Sequence, residues 1–479
     1  MRLQSFIRDP QPEDWVRVRF YASRIRKMYI DPTMFDSYYY VTALAPSVYP
    51  VLKSCLSTEP LLPDLQLFHW ANPEKHEAED LASLLLLLNS KASKIYIQMG
   101  NWSEHSMSQI ISALRTFSEN PAQTRSIHIQ SPPCAPLEEA VLAIGLHQQQ
   151  LLELSYNWHS ETSLEAITYF ARLDNLRRIS IRADSRRTQE FLLWAREHGG
   201  HLFPSVQVFS LYTSSVGDCE HWLNLIRRPD LDAVDFYVAE APTANALREL
   251  FTKLSVHPAR EVLSRIDIRS EQPSPRNHPL YTILPDTIAP LLALSLTVLR
   301  LESEAPIDID DEFAERMARA WPYLTFLELN GGYRRYPPAG VVPRVTLKGL
   351  IPFAEHCPNM LILALPISTD VSAFAEEYAA GQRPAGGASF QQCRLFGVGP
   401  SPIDQGADYL MIAGFLSDLC PELRHLKTSW GRPPPMTEAG EGDRSLDFED
   451  LDMGDAWKQV EKYAVEMARV RRQERMWLE

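Results

Sequence analysis

One pattern limits what this chain can become: L-x-x-L-x-L, often opened by proline, returns along most of its length. "WPYLTFLELNGG" (321–332) carries it as Leu324, Leu327 and Leu329, and "CPELRHLKTSWG" (420–431) repeats it with Leu423 and Leu426. Copies of the middle apolar position are read at 68, 95, 127, 152, 179, 209, 234, 266, 299, 327, 363, 393 and 426, in steps of 25 to 36 residues. Several of the intervals are apolar at helical spacing, among them 103–117, 163–173, 219–228, 243–254, 310–321 and 406–420. The unit is therefore strand, loop and helix, repeated about thirteen times at about 30 residues. One such unit cannot bury its own apolar face, whereas a stack can. Neighbouring strands must then pair in parallel, with right-handed crossovers. The expected fold class is α/β: a βα solenoid with a curved parallel sheet on the concave face and helices on the convex face.

Composition narrows the partners. With 47 Lys and Arg against 61 Asp and Glu, the formal charge is −14, so neither nucleic acid nor an anionic membrane is an expected partner. The start has no apolar stretch of signal-peptide length, and the greasiest run, "LASLLLLLNS" (81–90), is too short to cross a bilayer and reads as a core-facing helix. Six well-separated cysteines without a C-x-x-C pair read as reduced thiols, placing the chain in the cytoplasm or nucleus.

The array resembles the leucine-rich-repeat proteins over roughly residues 60 to 430. The family's loop-bonding Asn or Cys, five places after the middle leucine, is matched only by Asn157, against residues such as Gly100, Asp184, Ser214 and Glu304 elsewhere. The segment "FIRDPQPEDWVRVRFYASRIRKM" (6–28), followed by a loose array, resembles the region just after the F-box in fungal, mushroom-type F-box/LRR proteins. That resemblance implies a substrate receptor whose F-box grips the Skp adaptor of an SCF ubiquitin ligase while the repeats hold the protein to be ubiquitinated. No F-box is legible here, so a Skp adaptor is expected only if one lies upstream, and no adaptor-contact residue carries over. A truncated gene and a relative without the module both remain open.

Four stretches are expected. Residues 1–60 form a helical N-terminal cap, with Trp15, Val18, Ala22, Ile25 and Met28 on one face of a helix over 12–28 and its arginines largely off that face. A basic docking helix is the alternative. Residues 61–430 are the solenoid. Residues 431–455, rich in Pro, Gly and acid, form a disordered linker that could fold back on a basic surface. Residues 456–479 form an amphipathic helix, with Trp457, Val460, Ala464, Met467 and Val470 on one face, capping the last repeat or binding elsewhere.

Motifs for catalysis are missing: there is no Walker loop, G-x-G-x-x-G, G-x-S-x-G or H-E-x-x-H. His198 and His201 flank a "GG" turn, and the carboxylates of "DIDDEFAER" (307–316) sit at a helix start, where the dipole favours them. No catalytic residue, cofactor or metal is expected, and the chain reads as a non-enzyme.

The candidate site is a surface. In each strand the residue between the last two apolar positions points away from the core. Those residues are read as His69, Tyr96, His128, Glu153, Ser180, Ser210, Asp235, Asp267, Arg300, Glu328, Ala364, Arg394 and Lys427. With neighbours two places away, the centre of the face gathers Arg178, Arg182, Tyr212, Tyr237, Asp235, Arg265, Asp267, Arg269, Arg300 and Glu328. Arg and Tyr carry much interface energy, so this patch is expected to bind a protein partner, with an acidic or phosphorylated peptide the best match. Ordinary strand faces with cross-strand ion pairs are the plainer reading.

Overall fold

The computed structural model describes residues 2–4, 11–30, 42–44, 51, 62–72, 93–99, 103–119, 125–132, 134–147, 150–157, 159–199, 202–272, 274, 278–303, 305–330, 343–372, 375–376, 380, 383, 386–403, 407–430 and 448–478. The expected helix over 81–90 and most of the proposed linker, 431–447, lie outside them.

The chain divides into two compact units, Met1–Tyr212 and Thr213–Glu479. In the first, β1 (Arg2–Gln4) and β3 (Thr42–Leu44) form a small parallel pair. Helix α1 (Pro12–Ala22) leads into β2 (Lys27–Ile30), followed by β4 (Leu67–Asn72), β5 (Lys94–Met99), β6 (Ser126–Gln130), β7 (Glu153–Tyr156), β8 (Arg178–Arg182) and β9 (Val208–Thr213). The second unit carries β10 (Ala233–Val238), β11 (Arg265–Ser270), β12 (Val298–Glu302), β13 (Phe326–Leu329), β14 (Ile362–Ala364), β15 (Leu395–Gly399) and β16 (His425–Thr428). Strands β2 and β4 to β16 make one 14-stranded sheet in chain order. Every registered pairing in it is parallel.

Helices fill the crossovers: α2 (Glu104–Glu119), α3 (Ala135–His147), α4 (Leu164–Phe170) and α5 (Ser185–His198) in the first unit, and α6 (Val216–Leu225), α7 (Ala244–Ser255), α8 (Asp311–Ala320) and α9 (Tyr409–Leu419) in the second. The solenoid of parallel strands and alternating helices is thus the observed fold. Its core is the repeat itself. Ile95, Ile127, Ile179, Phe209, Val234, Ile266, Leu299, Leu327 and Leu363 are all at most 4% exposed, as are the α7 residues Leu247, Leu250, Phe251 and Leu254. Each fully buried side chain of this size contributes about 1.5–3 kcal/mol. None of the described helices is long and apolar enough to cross a membrane. The described cysteines, Cys134, Cys219, Cys357, Cys393 and Cys420, are free thiols.

Three local readings are corrected by the register. First, the N-terminal helix stops at Ala22, and Met28 lies in β2 opposite Phe68, so a repeat strand lies inside the stretch expected to be only a cap. Ile25, Met28 and Ile30 match L-x-x-L-x-L, while only Ile25 and Met28 also fit the helix face. Val18 and Ile25 are correspondingly exposed, at 38% and 39%. Second, the position opposite Ile127 and Ile179 is Leu154, not Leu152. Third, Phe396, not Cys393, pairs with Leu363 and Leu426. The cap of α4 is Ser163, whose hydroxyl accepts from the Ala166 amide at 3.2 Å. The neighbouring Thr162 hydroxyl accepts from the Arg182 amide at 3.1 Å.

The corrected register also gives two asparagines equivalent places. Asn157 now lies three places after its middle position, as does Asn330 after Leu327. Asn157 accepts from the Ser131 amide and donates to the Ser131 carbonyl, both at 2.9 Å. Asn330, at φ 52°, accepts from the Ser303 amide at 2.9 Å and donates to the Ala305 carbonyl at 2.5 Å. Each therefore satisfies loop backbone of the preceding repeat, which parallel strands leave unpaired once the ladder ends.

At the far end, α10 (Phe448–Leu478) packs on α9 and β16. It starts within the stretch expected to be linker. Trp457, Val460, Ala464 and Ala468 are fully buried, whereas Val470, expected on that face, is 45% exposed, because a 3-4-4 spacing tracks 3.6 residues per turn and the expected 3-4-3-3 spacing drifts off it. The Glu461 carboxylate accepts the outward amide of Leu426 at 3.0 Å, so the helix covers the edge of the last strand.

Candidate functional site

Where strands run in register, every second residue stands on the face away from the buried apolar positions. On the second unit that face is a grid of three rows. Asp235, Asp267, Arg300, Glu328, Ala364, Gly397 and Lys427 form the middle row. Arg265 belongs to the row before it, and Tyr237, Arg269 and Glu302 to the row after. Gly397 replaces the expected Arg394, because the three-residue slip in β15 reverses the alternation.

Asp235 and Asp267 face each other across the ladder, an arrangement that repels unless cations intervene. Three arginines do. Arg269 grips Asp267 with both prongs, each at 2.8 Å. Arg300 bonds Glu328 at 2.6 Å and reaches Asp267 at 3.4 Å. Arg265 bonds Asp235 at 3.1 Å and lies 3.9 Å from Asp267. The Asp267 side chain is only 2% exposed. Arg269 also lies over the Tyr237 ring, 5.2 Å from its centroid, and Arg300 over Phe326 at 4.5 Å.

Counting charges, Arg265, Arg269, Arg300 and Lys427 meet four carboxylates (Asp235, Asp267, Glu302 and Glu328), so 4 − 4 leaves the described residues of the grid without net charge. Burial pushes the Glu328 carboxyl up; Arg300 pulls against it, and the hydrogen-bonded Glu302 carboxyl adds to the rise. For Arg269, burial opposes the charge, but the Asp267 carboxylate bonded to it more than reverses this and raises it above its ordinary value. Burial likewise raises the Tyr237 phenol. These arginines are committed to the chain's own carboxylates, so the acidic-peptide expectation gains no support from this grid. Its plain reading, cross-strand ion pairs, describes it better.

The first unit holds the other expected site residues: Arg178 and Arg182 on β8, and Tyr212 opposite Arg182 on β9. Its middle row runs His69, Tyr96, His128 and Ser155 in strict register, then Ser180 and Ser210 on β8 and β9. Ser155 replaces the expected Glu153, which stands two places earlier on the same face and accepts from the Ser126 hydroxyl at 2.6 Å. The Ser180 hydroxyl is turned to the β7 backbone, bonding the amide and carbonyl of Tyr156 at 2.7 and 2.9 Å.

Three rings in successive strands stack face to face. His69 and Tyr96 lie 4.1 Å apart at 8°, and Tyr96 and His128 lie 4.4 Å apart at 6°. Alternation alone placed these residues on one face, but stacking could not be read, because it depends on ring rotamers. Burial, then the Arg178 guanidinium, lower the His128 pKa to about 4 against the pull of Glu153. His128 is thus a neutral ring at pH 7.

A pH dependence follows. Between the ordinary value of 6.5 and about 4, the unfolded chain takes up a proton that folded His128 refuses. Stability contributed by the neutral ring is complete above pH 6.5 and is lost as pH falls to 4, by about 3 kcal/mol. In urea titrations at pH 7 and pH 4, His128→Phe should keep the stack and remove that part of the decline. Equal declines in variant and wild type would refute the assignment.

No protein-family model matches the chain, and no curated protein does. Among solved structures, it is similar to one described as the crystal structure of the Rad7 and Elc1 complex in yeast. The two are 11% identical with a TM-score of 0.48, over 75% of this chain and 82% of that one.

Proposed function

We propose that this chain is a non-enzymatic interaction protein that holds a partner protein on the polar face of its sheet. One observation carries the reading: one side of the strands is apolar and buried, while the opposite side presents polar or aromatic side chains in register on most of them. Such a face offers many shallow contacts over a rigid backbone, which suits recognition of a protein surface. The ion pairing of the Asp267 grid also favours this over catalysis, since its charged groups already neutralise one another. The likeness of residues 6–28 to the segment after an F-box supports a finer reading, a substrate receptor of an SCF-type ubiquitin ligase. A free-standing repeat scaffold or inhibitor uses the same face without a ligase.

Affinity capture tests both levels. A variant with Lys94, Arg178, Arg265 and Lys427 changed to alanine should lose the partners that wild type retains. A helix-surface control, Arg248→Ala with Arg319→Ala, should keep them. Equal recovery by all three would end the proposal. Recovery of a Skp adaptor with the native full-length chain favours the receptor, and its absence favours the scaffold.

A further inference from the structure

The two units differ in what their polar faces leave unsatisfied. On the second, the arginines are paired with carboxylates. On the first, across β2 and β4 to β9, the charged residues of the three rows among the described residues are Lys27, Lys94, Arg178 and Arg182 against Glu153, so 4 − 1 gives +3 for these. Lys94 and Arg178 are exposed, and neither forms an ion pair with any described residue. This basic strip stands out in a chain whose formal charge is −14.

Beside it runs the ring stack, which ends at His128. The residue next in register is Ser155, which has only a hydroxymethyl group where the three preceding strands carry rings. A flat side chain entering over Ser155 would meet His128 at the spacing the other rings already keep, and such stacking contributes beyond its buried area. Arg178 lies one strand further on, close enough to His128 to depress its protonation. A guanidinium with no carboxylate partner makes charge-assisted, two-pronged bonds to an incoming carboxylate or phosphate.

We infer that the His69–Tyr96–His128 stack, with Ser155 and Arg178, is a recognition site for an acidic peptide segment bearing an aromatic residue. The aromatic side chain continues the stack over Ser155 while flanking acidic groups meet Arg178 and Lys94. This deepens the protein-binding reading proposed above and rests on it. It moves the acidic partner from the Asp267 grid, where the arginines are committed, to Lys94 and Arg178, which pair with no described carboxylate. Single-stranded nucleic acid also stacks and is anionic, but a net charge of −14 opposes a polyanion at longer range.

The test uses the full chain and labelled peptides of defined sequence: Gly-Glu-Asp-Tyr-Asp-Glu-Gly, its Tyr→Leu analogue, its analogue with lysine at every acidic position, and a short oligothymidylate. The tyrosine peptide should bind best and the lysine analogue not measurably. Arg178→Ala should weaken binding of the tyrosine peptide about tenfold or more. Ser155→Phe, which fills the slot with the chain's own ring, should remove the preference for tyrosine over leucine. Arg178 is exposed, so its variant tests binding without disturbing the core. If Arg265→Ala or Lys427→Ala abolishes binding while Arg178→Ala and Ser155→Phe do not, this inference falls and the polar-face reading stands. If none of the four matters, both fall. Tighter binding of the oligothymidylate than of any peptide also overturns the inference.

Discussion

Replacing Asp267 by alanine is expected to destabilise the protein by about 3–5 kcal/mol, the range for breaking a buried ion pair from one side. Asp267 is 2% exposed and receives Arg269 through two 2.8 Å bonds, with Arg300 at 3.4 Å and Arg265 at 3.9 Å. Without its carboxylate, Arg269 keeps Glu302 at 3.8 Å as its remaining ion pair. Leaving a guanidinium desolvated and weakly paired costs more than the bonds themselves, which is why the effect exceeds that of an exposed ion pair. Asp267→Asn should lose less, since the amide oxygen still accepts one bond. The measurement is the denaturant midpoint of each variant at pH 7. A loss under about 1 kcal/mol for the alanine variant, the scale of a solvated surface pair, would show that the grid is not a structural unit.

The second large effect is expected at the other end of the array. Trp457 is fully buried, and its indole N–H donates to the Ser401 carbonyl at 2.9 Å. Trp457→Ala should lower stability by about 3–5 kcal/mol, the range for truncating a buried aromatic. A specific consequence separates capping from mere packing. When α10 detaches, Glu461 releases the Leu426 amide, and the edge of β16 opens to solvent. Hydrogen exchange at Leu426 should therefore accelerate in Trp457→Ala and much less in Trp457→Phe. Unchanged protection at Leu426 in the alanine variant would mean that the helix does not guard that edge.

The slips in reading the array share one cause. "FQQCRLFGV" contains two overlapping matches, Phe390-x-x-Cys393-x-Leu395 and Cys393-x-x-Phe396-x-Val398, and only pairing with β14 selects the second. In "QLLELSY" the true triplet is Leu151, Leu154 and Tyr156, and a tyrosine ending the pattern looks polar until its hydroxyl is seen bonded to Ser131 at 2.7 Å. A slip of two residues kept Glu153 on the correct face, whereas a slip of three moved Arg394 off it. Asn330 went unrecognised as the counterpart of Asn157 because the offset was counted from the wrong leucine.

The order of residues alone decided that apolar side chains recur often enough to stack parallel strands under helices, since burial at a repeated spacing is a property of the chain. It also decided which residues share the polar face in most repeats, because alternation along a strand is local. How those residues treat one another was settled only by folding. Whether Arg265, Arg269 and Arg300 stay available or close on Asp267, and whether His69, Tyr96 and His128 stack, depends on distances across strands that are about 30 residues apart in the chain. Ion pairing and ring stacking act over a few ångströms, and sequence separation does not report that scale.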